Sequence, residues 1–551
     1  RSSIFISNGK ELKIEGAVRS SLIITGAFWL IFLAIKVFPF KRVQVRNAVM
    51  TFALAAAVFS ECVSNARLGV DTVETTSYTD YPLKYQAVET LLSDIRKNDS
   101  APFYRTEMTE TYTLNDSALY GYYGMSQFSS AANVSVTNLS KRLGLYASDA
   151  GNRFYYRTST PVVNALLGIK YLIKRGGTLN SEEWALTEAD NVEDTTLYEN
   201  RYPLSLGFMV SEELLKMEDS AGVNPFEYQN QIIRLSTGME ESLFTAQPVA
   251  LVEYDGVDVT KNGYGNYTFR VNDDSTDAAA RYHYSGVEGA YLYGYADSTG
   301  GCCDELLIKS GNITVDSGKL IESFPIVFTM GNGQEDTEAT VRISVKDGTK
   351  SGNYKMMIYA LDTALFEQAY SNLADEQLEI TSFSDTEIEG NVTAIEDGLL
   401  YLSIPYEKGW SVYVDGKKAD TSKVLQSMLG VKIGAGKHSI RLKYTPEGFT
   451  LGVTVTFICL ALIIALGIID RKKKKQLVSG SSDPDMNSGA PETDPYPAPP
   501  QTQPIYNQAY EEKLGVLVNV LPEHEEILYK EEASAEVINE KSESNDGVQR
   551  D

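Results

Sequence analysis

The side chains best suited to holding a sugar lie in one stretch, LYLSIPYEKGWSVYVDGKKAD, where Tyr406, Trp410 and Tyr413 fall close together. Aromatic faces stack on the C–H faces of a sugar ring, so the three could form a binding platform. Strand alternation argues for a different role. It points Trp410 and Val412 to the same face, which favours Trp410 as a core anchor beside the Gly409 turn. Asp80, Arg105 and Asn115 are polar residues that could bind a hydroxylated ligand, although such residues more often satisfy backbone groups or one another. Glu61 sits at the end of an apolar stretch and could face a cavity in a helix bundle, or rest in a membrane interface.

Metal and phosphate chemistry find little support. Cys302 and Cys303 are adjacent in STGGCCDE. Neighbouring cysteines rarely pair, and two residues do not make a zinc site. His283, His438 and His524 lack the spacing of a metal cluster, and His438, on a strand beside Lys437, reads as structural. TMGNGQED lacks the strand–helix context of a phosphate loop. No residue is singled out as catalytic, and no cofactor or metal site is expected.

The elements that would position these residues begin with three apolar stretches, each near the roughly 20 residues that cross a bilayer. They are Ser20 to Phe38, Asn47 to Val63 and Phe449 to Ile469. The second is short and Ala-rich, and a buried helix of a soluble protein is its alternative. Cys62 and Cys459, in or beside these stretches, are expected to pack as small hydrophobes. Lys36, Lys41, Arg42 and Arg46 flank the turn between the first two stretches, and Arg471 to Lys475 follow the third. Basic residues stay on the cytoplasmic side. Both clusters do so at once if the hairpin turns in the cytoplasm and residues 64–448 lie outside. The lysine run is expected to contact anionic lipid heads.

A chain of 551 residues should divide into several domains. The net charge of −25 excludes a nucleic-acid partner, which needs a concentrated basic surface. Four cysteines do not make a disulfide framework. The chain starts at Arg1 without a signal-peptide pattern, so it reads as part of a longer protein whose chemistry could lie upstream.

Outside the membrane, Tyr85, Val88, Leu91, Leu92 and Ile95 recur at helical spacing, and FYRTEMT then alternates as a half-buried strand. In STPVVNALLGIKYLIKR, Ser159 or Thr160 can cap a helix, Pro161 suits its first turn, Gly168 ends it, and Ile169 to Ile173 reads as a strand. From about 245, short alternating strands with Asp347-Gly348 and Asp415-Gly416 turns predict a β-sandwich, or two such units joined by a short helix near 362–377. HSIRLKYTP places Ile440, Leu442 and Tyr444 on one face and Ser439, Arg441 and Lys443 on the other.

The fold class expected is membrane α-helical segments plus an α+β and all-β exterior, in which a mixed α/β layer domain precedes β-sandwich units. The divisions are an exterior loop at 1–19, a transmembrane hairpin at 20–63, an α/β domain at 64–244, sandwich units at 245–376 and 377–448, a transmembrane helix at 449–470, and a cytoplasmic tail at 471–551. The tail composition, SGSSDPDMNSGAPETDPYPAPP, predicts disorder.

One pattern joins these pieces. Pro405, Tyr406, Gly409 and Trp410, then Val414-Asp415-Gly416, Gly436 with His438, and Tyr444, Pro446 and Gly448 before an apolar helix closely resemble the C-terminal end of the bacterial YfhO family. YRTEMTETYTLND, GMSQFSSAAN and TPVVNALLGIKYLI are similar to its central exterior region. The resemblance covers most of residues 50–475. It implies a GT-C-like membrane glycosyltransferase that takes sugar from a polyprenyl-phosphate donor and decorates a cell-surface polymer such as lipoteichoic acid. Membrane lipids, the lipid-linked donor and the polymer would be its partners. The family's catalytic carboxylate is expected in a first exterior loop upstream of Arg1, with a divalent metal as an option there. The alternative is a non-enzymatic, membrane-anchored protein that binds glycan or assists envelope assembly. A transporter is a weaker reading, since the helices show no internal repeat.

Overall fold

The computed structural model describes residues 14–37, 42–72 and 84–479, apart from short stretches at 149, 180–182, 218–222, 274, 276, 299–302, 311–312, 319–325, 333–335 and 346–347, together with the pairs Ile6–Ser7 and Lys10–Glu11. The expectations for Asp80, Cys302, Asp347, His524 and the tail beyond Ser479 lie outside the described residues. The chain separates into two compact units, Arg1–Phe457 and Ile458–Asp551, with the boundary inside the last helix.

Two long helices, Ile14–Val37 and Val43–Thr72, pack against each other as a hairpin. Large apolar side chains cover their outer surface without protein contact: Trp29 is 73% exposed and Phe52 78%. The helix Phe449–Ser479 is similarly bare, with Phe457 and Ile463 both 65% exposed. Contiguous apolar surface of this extent needs a nonaqueous surrounding. Val43–Arg67 and Phe449–Lys473 are long and apolar enough to cross a membrane, with mean hydropathies of 1.5 and 2.7. The apolar part of the first helix, Leu22–Ala34, is shorter. Cys62 and Cys459, expected to pack, are exposed free thiols on these helices, because no protein covers them. The second helix continues to Thr72 and the last one to Ser479, both beyond the sequence-based limits.

Helix Tyr85–Asn98 buries Val88, Leu91, Leu92 and Ile95, as its periodicity predicts, together with Ala87, while Tyr85 at its first turn stays exposed. They pack on a four-stranded mixed sheet in the order Arg105–Met108, Ile169–Arg175, Thr195–Asn200, Leu186–Val192, whose first pair is parallel. Thr160 caps helix Pro161–Leu166 by accepting from the Val163 N–H at 3.3 Å. Gly168 then turns at φ +64°, where an added Cβ would sit 3.0 Å from the Leu204 carbonyl oxygen.

Residues 244–362 form a sandwich of two antiparallel sheets around Phe269, Tyr282, Tyr284, Phe328, Tyr354 and Ile358. A second sandwich pairs a five-stranded sheet with a four-stranded one. The five strands run in the order Glu379–Phe383, Glu387–Ala394, Gly436–Tyr444, Trp410–Val414, Lys417–Ala419. The four run Gly207–Val210, Gly398–Pro405, Met428–Ile433, Thr421–Val424. Ile388, Leu400, Val412, Leu429, Ile440 and Leu442 fill the space between them. The strand Gly207–Val210, early in the chain, is an edge strand of this late sandwich.

The helices Val134–Leu143, Pro161–Leu166, Pro225–Thr237 and Thr363–Ala374 share one core with both sandwiches. Tyr291, Tyr293 and Tyr359 join it from the first, and Phe208, Leu399 and Tyr401 from the second. Strand Gly398–Pro405 is therefore buried on both faces rather than alternating. The same correction applies to FYRTEMT, read as half-buried. Thr106, Glu107 and Met108 are all buried, because Met108 lies in the core under helix Tyr85–Asn98 while Glu107 is enclosed from the other side.

Candidate functional site

Strand pairing builds a polar groove on the outer face of the five-stranded sheet. Tyr413 lies opposite Arg441, and Asn391 opposite Ser439. Val412, Ile440 and Leu442 point into the core, so alternation sends Tyr413, Ser439, Arg441 and Lys443 outward. With Thr381 and Glu389 these side chains line an open groove of about 450 Å³. Arg441 Nε donates to Glu387 Oε1 at 2.6 Å, and Glu389 lies 3.3 Å away. The bond to Glu387 holds the Arg441 guanidinium above its ordinary pKa. The groove thus offers an aromatic ring, a guanidinium held by two carboxylates, an amine, an amide, hydroxyls and the Glu389 carboxylate, a set able to contact the hydroxyls and charges of a polymer.

The rim of the groove is set by the Asp415-Gly416 turn. Both residues take positive φ, 51° and 77°, as a two-residue hairpin requires. Asp415 Oδ1 accepts from the Ser439 N–H at 2.9 Å, and Oδ2 lies 2.9 Å from His438 Nδ1. His438 Nε2 is 3.0 Å from the Gly434 carbonyl oxygen. The carboxylate raises the His438 pKa, and the His438 bond lowers that of Asp415. His438 is a positioning residue here.

The sequence-derived candidates scatter. Trp410 and Tyr406 pack, half-buried, against the core of the second sandwich, while Tyr413 faces outward, so the three rings do not form one platform. Arg105 Nη1 donates to Ser403 Oγ at 2.7 Å and to the Leu167 carbonyl oxygen, and Nη2 to the Ser403 carbonyl oxygen at 2.6 Å. Burial pushes its pKa down to about 10. The Asn115 amide exchanges two hydrogen bonds with the Phe128 backbone, 3.1 and 2.8 Å long. Glu61 is half-buried on the helix Val43–Thr72.

Two features escaped the sequence reading. The sequence pairs Tyr413 with Trp410 as a platform, whereas its ring shares the outward sheet face of Ser439, Arg441 and Lys443. Glu107 is fully buried, its carboxylate accepting from the Ser126 N–H at 2.9 Å, from Ser126 Oγ at 2.7 Å and from the Met125 N–H. Burial raises its pKa despite these bonds. Nothing local in YRTEMT announces that enclosure. Among the described residues, no three His, Cys, Asp or Glu side chains are grouped to hold a metal ion.

With this geometry in place, comparison with known proteins decides the family. The model of the bacterial membrane protein YfhO matches residues 3–456. The chain belongs to the YfhO family. Its similarity to the YfhO protein of Bacillus subtilis (strain 168) is 23% identity over 413 residues, covering 70% of this chain and 45% of that protein. The chain therefore spans about half the length of this YfhO relative. Family membership places it with membrane-associated proteins, consistent with its two long apolar helices.

Solved structures give weaker likenesses. A carbohydrate-binding module of family CBM36, in complex with calcium and xylotriose, aligns at 15% identity and TM-score 0.15, over 21% of this chain and 98% of that one. The mycobacterial arabinofuranosyltransferase AftD aligns at 9% identity and TM-score 0.15, over 54% of this chain and 29% of that one. At such TM-scores neither likeness carries an argument about this YfhO chain.

Proposed function

We propose that this chain is the acceptor-handling part of a YfhO-family membrane glycosyltransferase, which moves sugar from a polyprenyl-phosphate donor to a cell-surface polymer such as lipoteichoic acid. Family membership and the family resemblance in sequence support the class of activity. The observation that carries the acceptor role is the groove around Tyr413, Arg441 and Lys443. One ring for stacking, beside cationic and hydroxyl groups on a rigid sheet, suits a chain of polyols or sugars bearing negative charge. No residue of this chain is assigned the chemical step, and a carboxylate in another part of the full protein would perform it.

In this reading the apolar helices cross the membrane, Lys36 to Arg46 and Arg471 to Lys475 stay in the cytoplasm, and residues 64–448 lie outside. The test compares surface-polymer glycosylation in cells with the gene intact, deleted, or carrying Tyr413→Ala with Arg441→Ala. Loss on deletion and a marked reduction in the double variant are expected. Unchanged glycosylation on deletion would overturn the enzyme and leave the glycan-binding alternative.

A further inference from the structure

Strand pairing gives the second sandwich two distinct ends. At one, Trp410 pairs with Tyr444; at the other, Ala394 pairs with Gly436. The chain leaves by the first end, passing from Tyr444 through Pro446 and Gly448 into the helix that starts at Phe449. This exit is tied down. The Tyr444 N–H donates to the Thr386 carbonyl oxygen at 2.8 Å, and the Thr445 N–H to that of Gly409 at 2.9 Å.

Six aromatic side chains gather at this end. Trp410 and Tyr444 have ring centroids 5.0 Å apart. Phe383 lies 4.4 Å from Phe103 and 5.0 Å from Tyr123, which is 48% exposed. Phe103, Phe383, Tyr406 and Trp410 are only partly covered by the core they cap. The turns at the opposite end are Ile395-Glu396-Asp397, Asp415-Gly416 and Gly434-Ala435, and they hold no aromatic residue. Phe103, Phe383, Tyr406, Trp410 and Tyr444 are half-buried and Tyr123 is exposed, so this end presents a ring-rich surface.

The position of the exit names what covers them. A residue spans at most about 3.3–3.6 Å, so Tyr444, five residues before Phe449, lies within roughly 17 Å of the first apolar turn of the helix. Phe449–Lys473 has the length and hydropathy to cross a bilayer. Rings with an apolar body and a polar tip concentrate at the headgroup level of such a span. We propose that Phe103, Tyr123, Phe383, Tyr406, Trp410 and Tyr444 form a collar that seats the second sandwich in the lipid headgroup layer. The charged groups beside it are mostly acidic: Asp385, Glu387, Glu407 and Glu447, with Lys408 3.8 Å from Glu447. Contact therefore depends on the rings rather than on attraction to anionic lipid, and salt, which screens the repulsion of the carboxylates, does not weaken it.

The inference rests on the reading that the last helix spans the membrane, and the experiment separates the two. The chain is reconstituted in phosphatidylethanolamine–phosphatidylglycerol vesicles with Trp29→Phe, leaving Trp410 and Trp184, which packs inside against Tyr202 and Phe366. Lipids brominated on the upper acyl carbons are expected to quench emission, no less in high salt than in low, and Trp410→Phe is expected to remove the quenched component. A nitroxide on a cysteine replacing the exposed Lys408 gives a second reading of depth without touching a ring. Trp410 quenched by aqueous iodide but not by brominated lipid, in a chain that resists alkaline carbonate extraction, would overturn the collar and spare the spanning helix. Release by carbonate would overturn both.

Discussion

Arg105 and Ser403 are joined by two hydrogen bonds, from Nη2 to the Ser403 carbonyl oxygen at 2.6 Å and from Nη1 to its hydroxyl at 2.7 Å. The pair locks the first strand of the mixed sheet to the central strand of the second sandwich. Hydrogen bonds to a charged group contribute about 1.5–3 kcal/mol each, so Arg105→Ala should destabilise the outer region by about 2–4 kcal/mol. Arg105→Lys should recover part of this, since one ammonium cannot reproduce the forked contact. Denaturant unfolding of the detergent-solubilised chain measures both.

Tyr413 and Arg441 stand on the outer face of a sheet whose stability resides on its inner face. Replacing either by Ala is expected to leave the unfolding midpoint nearly unchanged while weakening retention on a polymer of glycerol phosphate or hexose by about tenfold, the scale of one lost stacking or ionic contact. Val412→Ala, on the buried inner face of the same sheet, should do the reverse. It should cost about 1–3 kcal/mol and leave binding by the folded fraction intact. Affinity electrophoresis paired with thermal unfolding separates the outcomes.

The Asp415–His438 pair makes the groove rim pH-sensitive in a defined direction. His438 has its pKa raised from 6.5, so its contribution is complete below that value and is lost as pH rises through the higher folded pKa. Asp415 has its pKa lowered from 3.8, so its share is present above that value and is lost as pH falls through the lower folded pKa. Asp415→Asn keeps the turn, because Asn tolerates positive φ. The stability gap between it and the parent should be widest near about pH 5–6 and shrink toward alkaline and strongly acid conditions. Thermal melts across that range check the shape.

Protease added to intact cells should cut within 73–448 and spare the region after Arg471, provided that the basic flanks sort as positive charge usually does. Cleavage confined to the tail would reverse the topology.

Local signals carried much of the fold. The helix at Tyr85, the Thr160–Pro161 start, the Gly168 stop and the Asp415-Gly416 turn each depend on neighbours within a few residues, and each stands where its chemistry puts it. The helix expected near 362–377 forms as Thr363–Ala374, with Asp362 accepting from the Leu365 N–H at 3.0 Å. Burial on a second face was not legible. Glu107 and Tyr401 look no different in sequence from residues on half-solvated strands, and what covers them comes from segments far along the chain. The candidate groove was half legible. The pattern Ser439, Arg441, Lys443 announced a polar face, yet the more conspicuous Trp410 drew attention to the inward one. Arg105 and Asn115 spend their polarity on backbone groups, as such residues commonly do.

The strand Gly207–Val210 bears on how the chain is made. It completes a sheet whose other members, beginning at Gly398, are synthesised long after it. During synthesis this segment must wait, its edge unpaired, until the chain beyond Gly398 has followed. Pairing across so wide a sequence gap is slow. A fragment beginning at Glu379 would lack its flank strand and expose Leu399 and Tyr401 on the adjacent one. The second sandwich is therefore complete only in a chain that carries both Gly207–Val210 and the strands from Glu379 onward.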